Sequence, residues 1–327
     1  METSTGGGQS FPVLIRGCDM CGRCMRPSIE WVSPKSPTIL YWNFPHPHFL
    51  FSFISSFTSS LLFLISIFSM FDTFSKLAMN LIHPLTFMSI AIWYRIKTFF
   101  DLLLQFDIRT LASPSRFNRA SFAKFWKVYG AAIASPERRA TVAPLMAQAS
   151  GIVIDVGPGT GEWINHFDLA KVTKIYGLEP NVDHHERLRK KIKDSGLSDI
   201  YTIVPIGAED LGTFGIDRGS VDAITSVQSL CSVPNSDTVI KDLYGYLKQG
   251  GKWILYEHVV TRQTGVVAWV QCAIDVFWPH LLGGCSITRD TEQYLRDSGD
   301  WSSIDVNKAG EEAKYQMLPF FMGVLVK

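Results

Sequence analysis

Residues 152–161 read Ile152-Val153-Ile154-Asp155-Val156-Gly157-Pro158-Gly159-Thr160-Gly161, a short apolar run that ends in three alternating glycines. An apolar run of this length, bounded by glycine, is the pattern of a strand buried on both faces, as parallel strands are. Alternate glycines let the backbone approach a ligand closely, and a helix that follows offers free N–H groups. The same pattern repeats outward at 174–178, 201–206, 221–227 and 253–256. Between these runs lie 182–194, rich in charge, and 237–247, which read as helices, the second capped at its end by Gly250-Gly251. Strands spaced by helices predict an α/β fold with a doubly wound, mostly parallel sheet. Its ligands bind over the carboxyl ends of the strands.

A chain of 327 residues suits one large or two small domains. Lys plus Arg number 31 against 30 Asp plus Glu, a net charge of +1, which excludes the electrostatic footprint of a general nucleic-acid binder. Six cysteines in this length do not make a disulfide scaffold. Cys18, Cys21 and Cys24 have the spacing C-x₂-C-x₂-C, but no fourth cysteine completes an iron–sulfur run, and the tail reads as unoccupied.

Mean hydropathy is +0.12, unevenly spread. Residues 49–71 carry no charge over 23 positions, enough to cross a hydrocarbon core of roughly 30 Å. A second apolar run, 77–94, ends at Trp93-Tyr94 beside Arg95 and Lys97, an edge suited to headgroup depth. A third, 98–106, is amphipathic about Asp101. The expected organisation is a disordered tail at 1–48, an apolar membrane-anchor region at 49–106 and a soluble domain at 107–327. Membrane lipid is the expected partner, and a buried helical hairpin is the alternative. From Phe44 to Ser66, 18 of 23 residues are Phe, Ser, Leu or Pro, the set that pyrimidine-rich codons yield. This raises the alternative that translation starts at Met70, leaving an anchor that lies in one leaflet. Residues 113–117 read as a linker and 122–128 as the first helix beyond it. Basic residues cluster just past the apolar segment, including Arg95, Lys97, Arg109, Arg116 and Lys124, which orients the soluble domain to the cytosol.

The glycine loop separates two families. A dinucleotide fingerprint needs a glycine at position 162, which is Glu162. The G-x-G-x-G form with Asp155 two positions upstream instead resembles motif I of the class I S-adenosylmethionine-dependent methyltransferases. Glu179 lies 18 residues past Gly161, at the end of the next run, where a carboxylate can accept both hydroxyls of a ribose. Gly207-Ala208-Glu209-Asp210 resembles the family's segment at the adenine amine. Ser220-Val221-Asp222, then Val227-Gln228-Ser229, and Leu247-Lys248-Gln249-Gly250-Gly251 complete five elements in the family's order. The resemblance implies a Rossmann-like methyltransferase fold that binds S-adenosylmethionine through Asp155, Gly157, Gly159, Gly161, Glu179, Ala208, Glu209 and Gln228.

Leu230-Cys231-Ser232-Val233, Tyr256-Glu257-His258-Val259, the stretch from Trp269 to Asp275, Trp278, Gly284-Cys285 and Thr288-Arg289-Asp290 resemble a narrower, membrane-bound branch. That branch includes the thiol S-methyltransferases of endoplasmic reticulum and lipid droplets, whose members carry a short apolar N-terminal anchor. Fungal relatives methylate nitrogen or oxygen of small metabolites and peptides. The resemblance covers about 70–327 and leaves 1–69 outside. It implies a small, apolar acceptor, thiol favoured, and a closing strand at 320–326.

His258 beside Glu257 is the best-placed candidate base, because imidazole titrates near neutrality. The alternative is a backbone hydrogen bond at the sheet's edge. Asp275 is the second candidate, as acceptor-binding acid or as half of a salt bridge. Trp269, Phe277 and Trp278 read as core, pocket lining or membrane contact. Cys285 reads as a buried structural thiol, and no metal-ligand cluster is expected: His184 and His185 are adjacent and point apart on a helix. Two other classes remain open. One is a nicotinamide-dependent oxidoreductase, opposed by Glu162, and the other a silent membrane scaffold, opposed by the intact glycines.

Overall fold

The computed structural model describes residues 48–310 and 315–327, with side chains from Met70 onward except at 71, 73, 76, 77 and 81. The expected tail, with Cys18, Cys21 and Cys24, lies outside the described residues, and so do nearly all side chains of the 49–71 run. The chain divides into two compact units, residues 1–76 and 77–327. A long helix, α1 (His48–Leu104), is followed by α2 (Ile108–Leu111), α3 (Pro114–Ile133) and α4 (Pro136–Met146). Strands β1 (Gly151–Val156), β2 (Val172–Leu178), α5 (His185–Asp194), β3 (Tyr201–Val204), β4 (Val221–Val227), α6 (Ser236–Tyr246) and β5 (Leu247–His258) come next. The chain ends with α7 (Val266–Asp275), α8 (Trp278–Leu281), α9 (Thr291–Arg296), β6 (Ser303–Lys308) and β7 (Phe320–Val326).

Seven strands form one sheet in the order β3-β2-β1-β4-β5-β7-β6. The first five pair in parallel, and β7 enters antiparallel between β5 and β6. This is the expected doubly wound α/β sheet, and its order reverses at β1 and β4, where ligands of such sheets bind. Both faces are covered. Ile154 and Val156 pack with α6 residues Val239, Ile240 and Leu243, whereas Val153 packs with Met146 of α4 and Leu188 of α5. That alternation along β1 is the period of two that a strand imposes. A third cluster joins Ala91 of α1, Phe125 of α3 and Trp278 of α8.

Several expected boundaries move. Residues 113–117 are not a linker: Ser113 is the extended N-cap and Pro114 the first residue of α3, where a missing N–H costs nothing. Helix α6 stops at Tyr246, because Leu247 already pairs with Val221. Gly250 sits at φ 76° in the turn beyond and donates its N–H to the carbonyl of Lys327, so the glycine pair is a strand turn and not a helix cap. Strand β5 continues to His258, held there by Phe320 and Phe321 of β7. Edge strand β6, largely exposed and polar, has no apolar run to announce it. No helix among the described residues is long and apolar enough to cross a membrane, and the expected anchor at 49–106 gains no support from the fold.

Candidate functional site

At the carboxyl end of β1 the chain turns through Gly157 (φ 64°), Gly159 (φ 60°) and Gly161 (φ 87°), a left-handed region that a side chain makes costly. A Cβ on Gly157 would lie 2.7 Å from Cβ of Ser229, and one on Gly159 would lie 3.0 Å from Nε1 of Trp126. Both line a cavity of about 880 Å³ within residues 77–327. Gly161 does not line it. It faces Lys191 and Leu188 and seats the loop on α5, a packing role in place of the expected ligand contact.

Glu179, just past β2, closes the loop from the other side. Its Oε2 accepts the Gly159 N–H at 2.9 Å and its Oε1 the Asn181 N–H at 2.8 Å. The carboxylate is buried at the cavity wall, with Nδ1 of His184 at 3.5 Å. Glu162 takes up space and charge that a dinucleotide loop leaves open. Its carboxylate accepts from Nε1 of Trp126 at 3.4 Å and from the Thr160 hydroxyl. Ala208 and Glu209, on the turn after β3, and Gln228, after β4, also line the cavity. Gln228 holds φ 56°, and its Oε1 is buried without a hydrogen-bond partner among the described residues. A buried carbonyl of this kind calls for a donor from elsewhere.

Asp155 behaves otherwise than expected. It is buried beneath the loop and does not line the cavity. Its two oxygens accept the hydroxyls of Tyr201 and Thr225, each at 2.8 Å, which braces β1 to its second neighbour β3 and to β4. Burial pushes its carboxyl up to about 6.

The far wall is aromatic and sulfur-bearing. Phe87 of α1 stacks 5.6 Å from Trp278, and Phe122 and Phe125 of α3 face the same space. Three further lining residues converge there: Cys231 from the turn after β4, His258 from the end of β5 and Cys285 beyond α8. Nε2 of His258 is 3.2 Å from Sγ of Cys285, and Nε1 of Trp278 donates to the same sulfur at 3.3 Å. Hydrogen bonding to Cys285, with burial, pushes the Cys231 thiol well up. Glu257 does not orient His258. Its Oε1 accepts the backbone N–H groups of Ser229 and Leu230 at 3.1 and 3.2 Å, fixing the turn that carries Cys231. Burial raises Glu257 to about 7.

Asp275 is not at the cavity either. Its Oδ1 accepts the Ile287 N–H at 2.7 Å, and its Oδ2 accepts the hydroxyls of Ser286 and Thr288 at 2.8 and 2.6 Å. With its oxygens committed to that loop, it positions the segment after Cys285. Trp278 is buried and lines the cavity, whereas Trp269 and Phe277 are exposed. The structure thus assembles Gly157, Gly159, Glu179, Ala208, Glu209, Gln228 and His258 and sets aside Asp155, Gly161 and Asp275. It adds Cys231 and Cys285, which sequence spacing hid, and the aromatic positions 122, 125, 126 and 129, whose helical period was the available signal.

A family model described as a methyltransferase domain matches residues 127–291. Human thiol S-methyltransferase TMT1A is 24% identical over 176 residues, covering 54% of this chain and 70% of that protein. Human thiol S-methyltransferase TMT1B is 26% identical over 182 residues, 55% of this chain and 72% of that protein. Among solved structures, a geranyl diphosphate methyltransferase in complex with SAM has a TM-score of 0.46 at 12% identity, covering 64% of this chain and 89% of that one.

Proposed function

The chain belongs to this methyltransferase domain family and is an S-adenosylmethionine-dependent methyltransferase, and from that premise we propose that it methylates the thiol sulfur of a small, apolar acceptor. The observation that carries this is a single cavity that joins Gly157, Gly159 and Glu179 to an aromatic wall ending in Cys231, His258 and Cys285. The description of both human relatives as thiol S-methyltransferases supports the same acceptor.

The residues present fit the donor. Gly157 and Gly159 leave a cradle that a Cβ would fill, and the buried Oε1 of Gln228 is free to accept. Glu179, oriented by two backbone N–H groups, presents a carboxylate suited to a vicinal diol, with Ala208 and Glu209 left for the adenine side. When bound, the donor supplies a methyl group already activated on a positively charged sulfur. The chain's own work is therefore alignment and exclusion of water, and in well-oriented reactions alignment can supply up to ~7–11 kcal/mol. A thiol, with an ordinary pKa of about 8.5, needs only modest help toward thiolate, and that help lies at the Cys231–His258–Cys285 wall. A labelled-methyl screen of the purified protein against thiols, amines and phenols tests the proposal. Apolar thiols should be methylated at least ~10-fold faster than the best amine or phenol, the margin that ~1.4 kcal/mol of barrier provides. The reverse order overturns it.

The enzyme, in this proposal, works on a membrane surface, that of the endoplasmic reticulum or a lipid droplet, with residues 77–327 facing the cytosol. Exposed apolar side chains in that unit support it: Trp93, Phe99, Phe100 and Leu104 on α1, and Trp269 and Phe277 at α7 and just after it. Large apolar side chains on a helical surface suit a helix lying in the interface plane. In flotation with phosphatidylcholine–phosphatidylserine vesicles the protein should rise with the lipid, and protein left in the aqueous fraction contradicts the membrane assignment.

A further inference from the structure

At the acceptor end of the cavity the three groups from separate elements are all donors of the kind that hold a soft metal ion. One ligand atom from each of Cys231, His258 and Cys285 lies within 4.8 Å of the other two. Around a tetrahedral zinc ion, with Zn–S near ~2.3 Å and Zn–N near ~2.0–2.1 Å, ligand atoms stand about 3.5–3.8 Å apart. The His258–Cys285 approach of 3.2 Å is already close to that spacing.

Two features mark this cluster beyond its spacing. First, Sγ of Cys285 is approached by Nε1 of Trp278, which can only donate, as well as by Nε2 of His258. Nε1 of Trp278 is thus the kind of hydrogen-bond donor that usually surrounds a metal-bound ligand atom. Second, Nε2 of His258 approaches that sulfur, while its other ring nitrogen, Nδ1, has no hydrogen-bond partner among the described residues, so the ring is engaged from its Nε2 side.

We propose that Cys231, His258 and Cys285 form a binding site for a divalent zinc ion, with the fourth coordination position open to the cavity. Two thiolates and one imidazole are a donor set that selects zinc over harder cations, and three protein ligands with one position free is the arrangement of a catalytic zinc. Zinc displaces the protons of both thiols to solvent, and the two thiolates then balance the ion's charge, so the site is neutral when the imidazole is neutral. Resting on the thiol reading above, the open position takes the acceptor. The S–H bond breaks, the proton leaves to solvent, and the sulfur binds zinc as thiolate through one lone pair. His258 is then a ligand to the ion, and Glu257, holding the Ser229–Leu230 turn, positions Cys231.

Metal analysis of the full chain tests this, with Cys18, Cys21 and Cys24 changed to serine so that the tail thiols do not contribute. Zinc added to reduced, chelator-stripped protein should bind at one ion per chain, and cobalt(II) in its place should give the thiolate charge-transfer absorption of a tetrahedral site. Cys231→Ser and Cys285→Ser should each lower zinc affinity by roughly 100-fold or more. Affinity for S-adenosylhomocysteine should stay unchanged in both, which shows that the variants fold. Protein that binds that nucleoside but takes up no zinc overturns the site, and so does zinc uptake that survives both serine variants. Thiol methylation at full rate by zinc-free protein overturns the site and leaves the thiol reading intact. One zinc per chain, with methylation confined to amines or phenols, keeps the site and overturns the thiol acceptor.

Discussion

The donor end of the cavity is built from neighbours in sequence or from adjacent strands: Gly159 meets Glu179 20 residues on, and both lie at the tips of paired strands β1 and β2. At the acceptor end Cys231, His258 and Cys285 come from three segments, and His258 and Cys285 alone are separated by 27 residues. The donor end works through backbone: positive φ, N–H groups and a carboxylate they hold. The acceptor end works through side chains, held by Glu257 under Cys231 and by Asp275 beyond Cys285. A backbone site needs glycines at set spacing and leaves a mark in the sequence, whereas a side-chain site can be assembled from any residues that the fold brings together.

The sharpest way to break this contrast is Gly159→Val. A β-branched residue at φ 60°, with its Cβ 3.0 Å from Trp126, incurs strain of roughly 3 kcal/mol. Affinity for S-adenosylhomocysteine by titration calorimetry should fall about 100-fold or more, and unchanged affinity means that the loop is not the donor site. His258→Ala acts at the opposite end. It should slow methyl transfer at saturating donor by about 100-fold, the scale expected when a group that helps the acceptor toward thiolate is lost, while donor affinity stays within about twofold. A matching loss of donor affinity erases the division between the two ends.

The smallest effect on either end of the cavity is expected from Asp155→Asn, beneath the donor loop, which should act on stability instead of donor affinity. Burial raises this carboxyl to about 6 in the folded chain, above its value of 3.8 when exposed. The folded state therefore holds the proton more tightly, and the stabilisation is complete below about pH 4 and lost as pH rises through about 6. An amide does not ionise, so from pH 4 to 7 wild-type stability should fall relative to the variant by up to about 3 kcal/mol, visible in Tm. Parallel curves mean that Asp155 is not buried as a brace, while a large loss of donor affinity in this variant restores it to the binding surface.

How much was legible follows the same division. The strand at 221–227 appears with its expected ends and that at 152–156 begins one residue earlier, because buried runs between glycines or turns have few alternatives; the closing strand that the resemblance implied at 320–326 also has its expected ends. Glu179 was legible from its distance to the loop. Asp155 was misassigned because one position on a strand decides whether a carboxylate faces ligand or core, and Tyr201 and Thr225, from other strands, claimed it. Asp275 was misassigned similarly, since nothing on α7 announces that residues 286–288 fold over it. Phe87, in a stretch read as anchor, walls the cavity because α1 packs against α3 and α8.

By itself the sequence determined the alternating strands and helices, the glycine loop that excludes a dinucleotide fingerprint, and the carboxylate that faces it. These depend on local backbone geometry and on period, which are written residue by residue. Only the tertiary structure decided which carboxylates are braces and which line the cavity, and that two thiols and an imidazole share one wall. Contacts between distant segments depend on how the sheet's order, its crossovers and its covering helices bring their ends together, and no spacing along the chain encodes that distance.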